Sequence, residues 1–212
     1  IIIGFVVLLV FLDLFFNGYI DGFLESVRVS AFQVVSILTT TGYTSVDYGS
    51  WSSFARFVIL LLMFIGGCAG STSGSVKQIR VLLMLKMLRK KLRQLLHPNV
   101  VDPVRIGGRV VSEKTLHTIS MFFFAYILIF IISSGFMLFL GLDMITGISA
   151  AASCLGNIGP ALGMLGPSYS YAAIPPIGKI WLVCCMWLGR LEIFTALILF
   201  IPTAYKRETF LK

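Results

Sequence analysis

The sequence contains little charge and few side chains suited to catalysis. Only 12% of its 212 residues are Asp, Glu, Lys or Arg, two are His, and 58% are apolar. No carboxylate pair, metal-ligand cluster or Ser-His arrangement is placed to act, and the glycine-rich phosphate loop that ends in Gly-Lys-Ser or Gly-Lys-Thr is missing. The composition predicts a membrane protein, because so little polar surface cannot coat a soluble globule. The lack of placed catalytic groups argues against an enzyme.

Only two apolar runs are long enough to cross a bilayer. A spanning helix needs about 20 apolar residues, and residues 119–142 and 180–201 provide them. Residues 1–16 begin abruptly, without an initiator Met or the basic flank and cleavage site of a signal peptide, so we expect a fragment that starts inside a helix. Residues 54–65 give roughly 18 Å of helix, which falls short of the hydrocarbon thickness.

A polar run follows this short helix directly. Residues 66–75 read Gly-Gly-Cys-Ala-Gly-Ser-Thr-Ser-Gly-Ser, which is too rich in Gly and Ser for a dependable helix. A helix-packing patch of small residues is one alternative, and a flexible loop outside the membrane is another. The flexible loop is disfavoured because the preceding helix is too short to have left the bilayer. We therefore expect irregular backbone at membrane depth.

The net charge of +8 is distributed unevenly along the chain. Ten of the 17 Lys and Arg residues lie between Lys77 and Lys114, and three more follow residue 201. By the positive-inside rule, the basic linker and the C-terminus are cytoplasmic. No aromatic or Gly pattern of an RNA-binding module accompanies the basic run, so nucleic acid is not an expected partner. Four acidic residues fall in segments that the alternation of spans places on the opposite side: Asp21, Glu25, Asp47 and Asp143.

The chain contains an internal sequence repeat. Residues 26–41 and 143–155 are apolar segments too short to cross, and each leads into a polar stretch with Gly. Thr-Thr-Gly-Tyr at 40–43 falls opposite Asn-Ile-Gly-Pro at 157–160 at a constant offset of 117 residues. At the same offset, Ser26 lies opposite Asp143, and both residue types are good helix N-caps. Interrupted segments in corresponding positions of two halves point to a transport site.

Such a unit has a specific physical use. Irregular backbone survives at membrane depth only where protein or a water-filled cavity satisfies its polar groups. A half-helix directs the negative end of its dipole into that cavity, which favours a cation. Carbonyl groups of the turn can then replace the hydration shell of a potassium ion, and Gly permits the φ values that aim them. The repeat therefore favours a cation pore.

Six motifs, in this order, resemble the TrkH family of potassium-uptake proteins over almost the whole chain. They are Thr-Thr-Thr-Gly-Tyr (39–43), Gly-Gly-Cys-Ala-Gly-Ser-Thr (66–72), His-Pro-Asn (97–99), Gly-Gly-Arg-Val-Val (107–111), Gly-Asn-Ile-Gly-Pro (156–160) and Gly-Arg-Leu-Glu-Ile-Phe-Thr (189–195). The resemblance implies an all-α integral membrane protein with four helix, pore-loop, helix repeats as in potassium channels, of which this chain carries two. Residues 1–96 would be the third repeat with a broken second helix, residues 97–117 a cytoplasmic linker, and residues 118–212 the fourth repeat.

The resemblance also implies a function and its residues. The protein would take up potassium across the bacterial inner membrane as a lipid-embedded homodimer, with a cytoplasmic nucleotide-binding regulator of the TrkA type. Potassium would be the transported ion, and this chain would bind no organic cofactor. The potassium-binding filter would comprise Thr40, Thr41, Gly42, Tyr43, Asn157, Ile158 and Gly159, with the backbone of Thr40, Thr41, Asn157 and Ile158 coordinating the ion. The family's intramembrane gating loop corresponds to Gly66, Gly67, Gly70, Ser71, Thr72, Ser73 and Gly74.

Arg190 is the costliest charge in the sequence, because it lies near the middle of residues 180–201, where a charge is penalised by at least about 2.5 kcal/mol. Glu192 is two residues away and does not face it on a helix. Counting inward from the two filter turns places Arg190 near the depth of residues 66–75, whose free carbonyls would accept its hydrogen bonds. An ion pair within the helix or between subunits is the alternative.

Three rival functions stay open. A sodium-coupled or sodium-permeable relative of the Ktr type differs from our interpretation in filter residues of the first two repeats, which this sequence does not carry. An enzyme lacks placed catalytic groups. A membrane scaffold without transport leaves the polar run at 66–75 and Arg190 unexplained. Residues 82–96, basic and apolar by turns, predict a helix at the cytoplasmic interface that could also dock the regulator.

Overall fold

The computed structural model describes residues 2–68, 70–71, 73–97 and 103–191. Helices dominate these ranges, with one short β-hairpin between the two halves. The α-helices are α1 (Ile2–Phe16), α2 (Phe23–Leu38), α3 (Ser53–Phe64), α4 (Gln78–Leu96), α5 (Glu113–Phe139), α6 (Met144–Gly156) and α7 (Pro176–Arg190). Within the described ranges, three 3-10 turns lie in the connections, at Tyr48–Ser50, Gly163–Leu165 and Tyr171–Ala173.

The two halves repeat one order of elements: a first helix, a second helix that ends in a turn, and a third helix. In the first half these are α1, α2 and α3, and in the second α5, α6 and α7. The core of the first half includes Val10, Val34 and Ile59, and Ala152 and Ile158 of the second half belong to the same cluster. Burial of apolar side chains therefore joins the two units into one body.

Side-chain caps start three of the helices. Ser52 accepts the Ala55 N–H at 2.9 Å, and Ser112 caps α5 in the same way. Asp143 caps α6 by accepting the Thr146 N–H at 3.2 Å, as the sequence predicts. The predicted cap at Ser26 is wrong. Gly22, at φ 94, turns the chain before Phe23, so Ser26 lies inside α2 and its hydroxyl donates to the Gly22 carbonyl at 3.0 Å.

Among the described residues, α5 is the helix that is long and apolar enough to cross a membrane. It contains most of the predicted span at 119–142. The other predicted span, 180–201, coincides with α7 up to Arg190, and its remainder lies outside the described residues. Large apolar side chains such as Phe124, Ile131 and Phe139 are exposed along α5, which suits contact with lipid.

The linker forms a β-hairpin that the sequence analysis did not predict. Strand β1 (Arg105–Ile106) pairs antiparallel with β2 (Arg109–Val110). Gly107 and Gly108 have φ values of 54° and 80°, as a two-residue hairpin turn requires. The Gly-Gly pair between short alternating segments was the available signal. Helix α5 begins at Glu113, so the last residues of the expected linker are helical.

Candidate ion pathway

The turn after α2, residues 39–43, reverses the chain through two left-handed residues. Thr40 has φ 56° and Gly42 has φ 76°. The Thr41 N–H donates to the Ser36 carbonyl at 2.9 Å, and the Ser36 hydroxyl donates to the Tyr43 carbonyl at 2.6 Å. Positive φ is unfavourable for a β-branched residue such as Thr40, so the surrounding contacts must hold it there. We call residues 39–43 the third-unit turn, after the numbering of repeats that the resemblance implies.

The turn after α6, residues 156–160, has the same backbone. Asn157 has φ 55° and Gly159 has φ 113°. The Ile158 N–H donates to the Ser153 carbonyl at 2.9 Å, and the Ser153 hydroxyl donates to the Pro160 carbonyl at 2.8 Å. Each of these features lies 117 residues after its counterpart. We call residues 156–160 the fourth-unit turn, and the repeat predicted from the sequence is thus also a repeat of hydrogen bonds.

The two turns touch each other. A Cβ atom on Gly42 would lie 1.9 Å from the Ile158 carbonyl oxygen and 3.2 Å from the Pro160 ring. No side chain fits at that distance, and φ 76° is itself unfavourable for other residues. Gly42 therefore permits the close approach of the turns. Around Gly159, no described atom lies within 4 Å of the corresponding position.

The two turns differ in what anchors them. In the third-unit turn, the Thr39 and Thr41 hydroxyls pair at 2.8 Å. In the fourth-unit turn, the Asn157 side-chain amide donates to the Met186 carbonyl of α7 at 2.9 Å, and the Tyr171 hydroxyl donates to the Gly159 carbonyl at 2.6 Å. Burial raises the pKa of Tyr171, which keeps this hydroxyl protonated as a donor.

Residues 66–75 lie where the sequence predicts a break between two helices. Helix α3 ends at Phe64, and α4 begins at Gln78. The Gly66 N–H donates to the Val76 carbonyl at 2.9 Å, and the Val76 N–H donates to the Phe64 carbonyl at 3.1 Å. These bonds pin the two ends of the segment side by side. We call residues 66–75 the intramembrane loop, after the depth that the sequence predicts for them.

The intramembrane loop contacts both turns. The Gly74 N–H donates to the Thr40 hydroxyl at 3.3 Å. A Cβ atom on Gly74 would lie 2.2 Å from the Gly156 carbonyl oxygen. The Ser75 hydroxyl donates to the Met63 carbonyl at 2.6 Å and lies 3.5 Å from the Gly156 carbonyl. Small residues thus allow the loop to pack directly against both candidate filter segments.

Serine hydroxyls organise the rest of the loop. The Gly67 N–H donates to the Ser73 hydroxyl at 3.0 Å, and the Ser71 and Ser73 hydroxyls pair at 2.7 Å. Gly70, at φ 83°, has no described atom within 4 Å of its Cβ position. Thr72, which the resemblance assigns to gating, lies outside the described residues.

Arg190 and the intramembrane loop line one cavity of about 190 Å³. Ser71, Ser73 and Ser75 contribute the loop side of this cavity. This agrees with the depth that the sequence predicts for Arg190. Glu192, the rejected pairing candidate, lies outside the described residues.

Two further cations, Lys77 and Arg80, line the same cavity, and the sequence analysis assigned them no role there. The Arg80 guanidinium also lies over the Phe122 ring, 4.1 Å from its centre. The sequence feature that could have indicated this location is their position directly after residues 66–75. The cavity is therefore strongly basic on its described side.

Comparison with known proteins identifies the family. The sequence model of TrkH, described as a cation transport protein, matches residues 5–207. The chain belongs to the TrkH family. The Trk system potassium uptake protein TrkH of Salmonella typhimurium is 38% identical over 195 residues, which cover 92% of this chain and 40% of that protein. TrkG of Escherichia coli K12, also a Trk system potassium uptake protein, is 34% identical over 81% of this chain and 35% of its own length.

A solved TrkH structure shares the fold. The crystal structure of the potassium transporter TrkH from Vibrio parahaemolyticus superposes with a TM-score of 0.88 at 34% identity, covering 96% of this chain and 43% of that chain. The TrkH-family chain described here therefore spans about two fifths of the length of the relatives it matches. The prediction of an all-α membrane transporter fold is confirmed.

Proposed function

We propose that this chain forms the third and fourth pore units of a protein that takes up potassium across the bacterial inner membrane. The observation that carries the proposal is the pair of turns with the same left-handed positions and the same hydrogen bonds, in contact through Gly42 and Ile158. The names of the TrkH and TrkG relatives, which are potassium uptake proteins, support the choice of ion.

The filter residues act through their backbone. Carbonyls of Thr40, Thr41, Asn157 and Ile158 would replace water around potassium, and the C-terminal ends of α2 and α6 would add negative dipole potential. Gly42 and Gly159 supply the positive φ values that direct these carbonyls. Tyr43 completes the third-unit turn by accepting the Ser36 hydroxyl on its carbonyl.

The intramembrane loop would control the pathway. Its contact with Thr40 and Gly156 puts it directly against both turns, and its Gly and Ser content lets it change shape at low steric cost. The guanidinium of Arg190 would hold loop carbonyls and so favour the closed state. A cytoplasmic regulator of the TrkA type, and a second copy of the protein, would complete the assembly.

Ion flux into proteoliposomes that contain the complete protein tests this function. We expect flux of potassium well above that of sodium, without a requirement for sodium. Absence of potassium flux from folded protein would contradict the proposed function, and a flux that depends on sodium would favour a Ktr-type relative.

The same assay tests whether the contact between Arg190 and the intramembrane loop favours the closed state. We expect Arg190→Ala to raise flux without the regulator, because the closed state loses its contact with the loop. A loss of about 1.4 kcal/mol from the closed state changes the open-to-closed ratio about tenfold. Deleting part of residues 70–74 should act in the same direction, and the two changes together should be less than additive, since both remove the same contact.

Lys114→Ala is the control for the Arg190 variant. Lys114 is an exposed cation in the first turn of α5 and is not part of the lining of the Arg190 cavity. If the arginine variant folds and its flux is unchanged while the loop deletion raises flux, Arg190 has another role.

A further inference from the structure

A second basic cavity, of about 420 Å³, lies between α4 and the β-hairpin. The Lys86 ammonium donates to the Arg105 carbonyl at 2.7 Å, which ties the hairpin to the helix and gives the cavity fixed walls. Asp102, which precedes this stretch, lies outside the described residues. Five cationic side chains line the cavity: Lys86, Arg89, Lys90, Arg93 and Arg105.

The packing of α4 against α5 sets the depth of this cavity. Arg80 lies over Phe122, and Lys90 lies 2.5 Å from the Glu113 carboxylate, so the two helices run in opposite directions. Phe122 and Glu113 are about 13 Å apart along α5. The cavity therefore lies beside the first turn of α5, just before its apolar stretch begins. With the apolar stretch of α5 in the hydrocarbon core, this level corresponds to the lipid headgroups.

Leucines continue the cationic surface toward the membrane. Leu82 lies one helical turn before Lys86, and Leu85 lies one turn before Arg89. Leu82 and Leu85 are 46% and 60% exposed. Because α4 runs away from the bilayer centre, these apolar side chains lie on the bilayer side of the cations. The surface thus pairs charge at headgroup depth with apolar contact at acyl-chain depth.

We propose that this cavity binds the phosphate headgroup of an anionic phospholipid. Phosphate oxygens are the ligands that clustered Lys and Arg side chains recognise, and Arg can donate two parallel hydrogen bonds to them. A nucleotide or inorganic phosphate offers the same oxygens. The lipid is favoured because only an amphiphile also uses Leu82 and Leu85. This site is separate from the candidate ion pathway and does not depend on its assignment.

Binding to the complete, delipidated protein tests the proposal, with native mass spectrometry as the readout. The probes are phosphatidylglycerol, phosphatidylcholine, ATP and inorganic phosphate. The test variant is Arg89→Gln with Arg105→Gln. The control variant is Lys91→Gln with Arg109→Gln, which also removes one cation from α4 and one from the hairpin but none from the cavity lining.

We expect wild type to prefer phosphatidylglycerol to phosphatidylcholine. The test variant should bind phosphatidylglycerol about 25-fold more weakly, at roughly fivefold per cation, and the control should change less than about threefold. Equal losses in the two variants, or no preference for the anionic lipid, would overturn the site. Tighter binding of ATP or phosphate, lost only in the test variant, would assign the cavity to a soluble anion instead. If the test variant keeps its lipid binding but no longer binds the added TrkA-type regulator, the cavity is assigned to a protein partner.

Discussion

The third-unit and fourth-unit turns share a backbone but not the means of holding it. Thr39 and Thr41 brace the third-unit turn from within. The fourth-unit turn is held by residues outside it, because its Asn157 amide donates to the Met186 carbonyl of α7 and the Tyr171 hydroxyl donates to its Gly159 carbonyl. Asn tolerates left-handed φ better than Thr does, so the internal hydroxyl pair and the Gly74 contact compensate where the residue type is less suitable. One conformation can therefore be specified by two different sets of contacts.

Alanine at the two turn glycines should produce the largest difference between the units. We expect Gly42→Ala to reduce potassium uptake at least about tenfold, because it adds a backbone collision with Ile158 to an unfavourable φ. Gly159→Ala meets only the unfavourable φ and should lose less. Uptake by cells that depend on the complete protein is the measurement.

Gly135→Ala provides the baseline for this pair. Gly135 lies within α5 with open space at its Cβ position, so alanine there should be neutral or slightly stabilising. Wild-type uptake by Gly42→Ala would refute the close approach of the two turns.

Removing the outside anchor should have an intermediate effect. Tyr171→Phe deletes the hydroxyl that holds the Gly159 carbonyl, and loss of one hydrogen bond of about 1 kcal/mol should shift the potassium-to-sodium flux ratio about fivefold. Tyr43→Phe is the control, because the Tyr43 side chain is 73% exposed and acts on its turn through its backbone carbonyl. Equal ratios for the two variants would show that Tyr171 does not position the turn.

Substitutions at the N-termini of α2 and α6 should have the smallest effect, and it should be on stability. Asp143→Ala removes the cap of α6 and should destabilise the protein by about 1 kcal/mol, whereas Ser26→Ala should change stability by less than about 0.5 kcal/mol. Thermal unfolding in detergent compares them. A larger loss from Ser26→Ala would show that its hydrogen bond to the Gly22 carbonyl stabilises the start of α2 more than a side-chain cap stabilises α6.

The stabilisation that the Asp143 cap provides to α6 depends on pH. Hydrogen bonding by Thr146 holds the pKa of the Asp143 carboxyl below its ordinary value. The stabilisation is therefore present at neutral pH and is lost as pH falls through that lowered pKa. The difference in melting temperature between wild type and Asp143→Ala should shrink in acid.

Sequence alone predicted the features that depend on local pattern. The offset of 117 residues identified the segments of α2 and α6 and both turns, because Gly42 and Gly159 mark corresponding positions of positive φ. The polar run after a helix too short to span predicted the break between α3 and α4. Counting residues along helices of known rise assigned Arg190 and residues 66–75 to similar depths, and the two line one cavity.

Contacts between distant segments were not predictable in this way. Nothing near Gly42 in sequence indicates the Ile158 carbonyl beside it, and nothing near Tyr171 indicates its bond to Gly159. Gly163 gives another example, since a Cβ there would lie 2.3 Å from the Thr146 hydroxyl. Such constraints arise only when the chain brings elements together. The start of α2 was missed for a simpler reason, because Gly22 ends the preceding turn without any side-chain cap.

The paired ends of the intramembrane loop make it a self-contained insertion. Because the backbone bonds between Gly66, Val76 and Phe64 already close the loop, its length has little effect on how α3 and α4 align. The entropic contribution to the free energy of closing a flexible loop changes by only about 0.6 kcal/mol when the loop length is halved or doubled. Loop length and helix alignment are thus nearly independent variables. The amount of backbone that reaches the two turns can change, by mutation or by design, without rebuilding the helices that carry it.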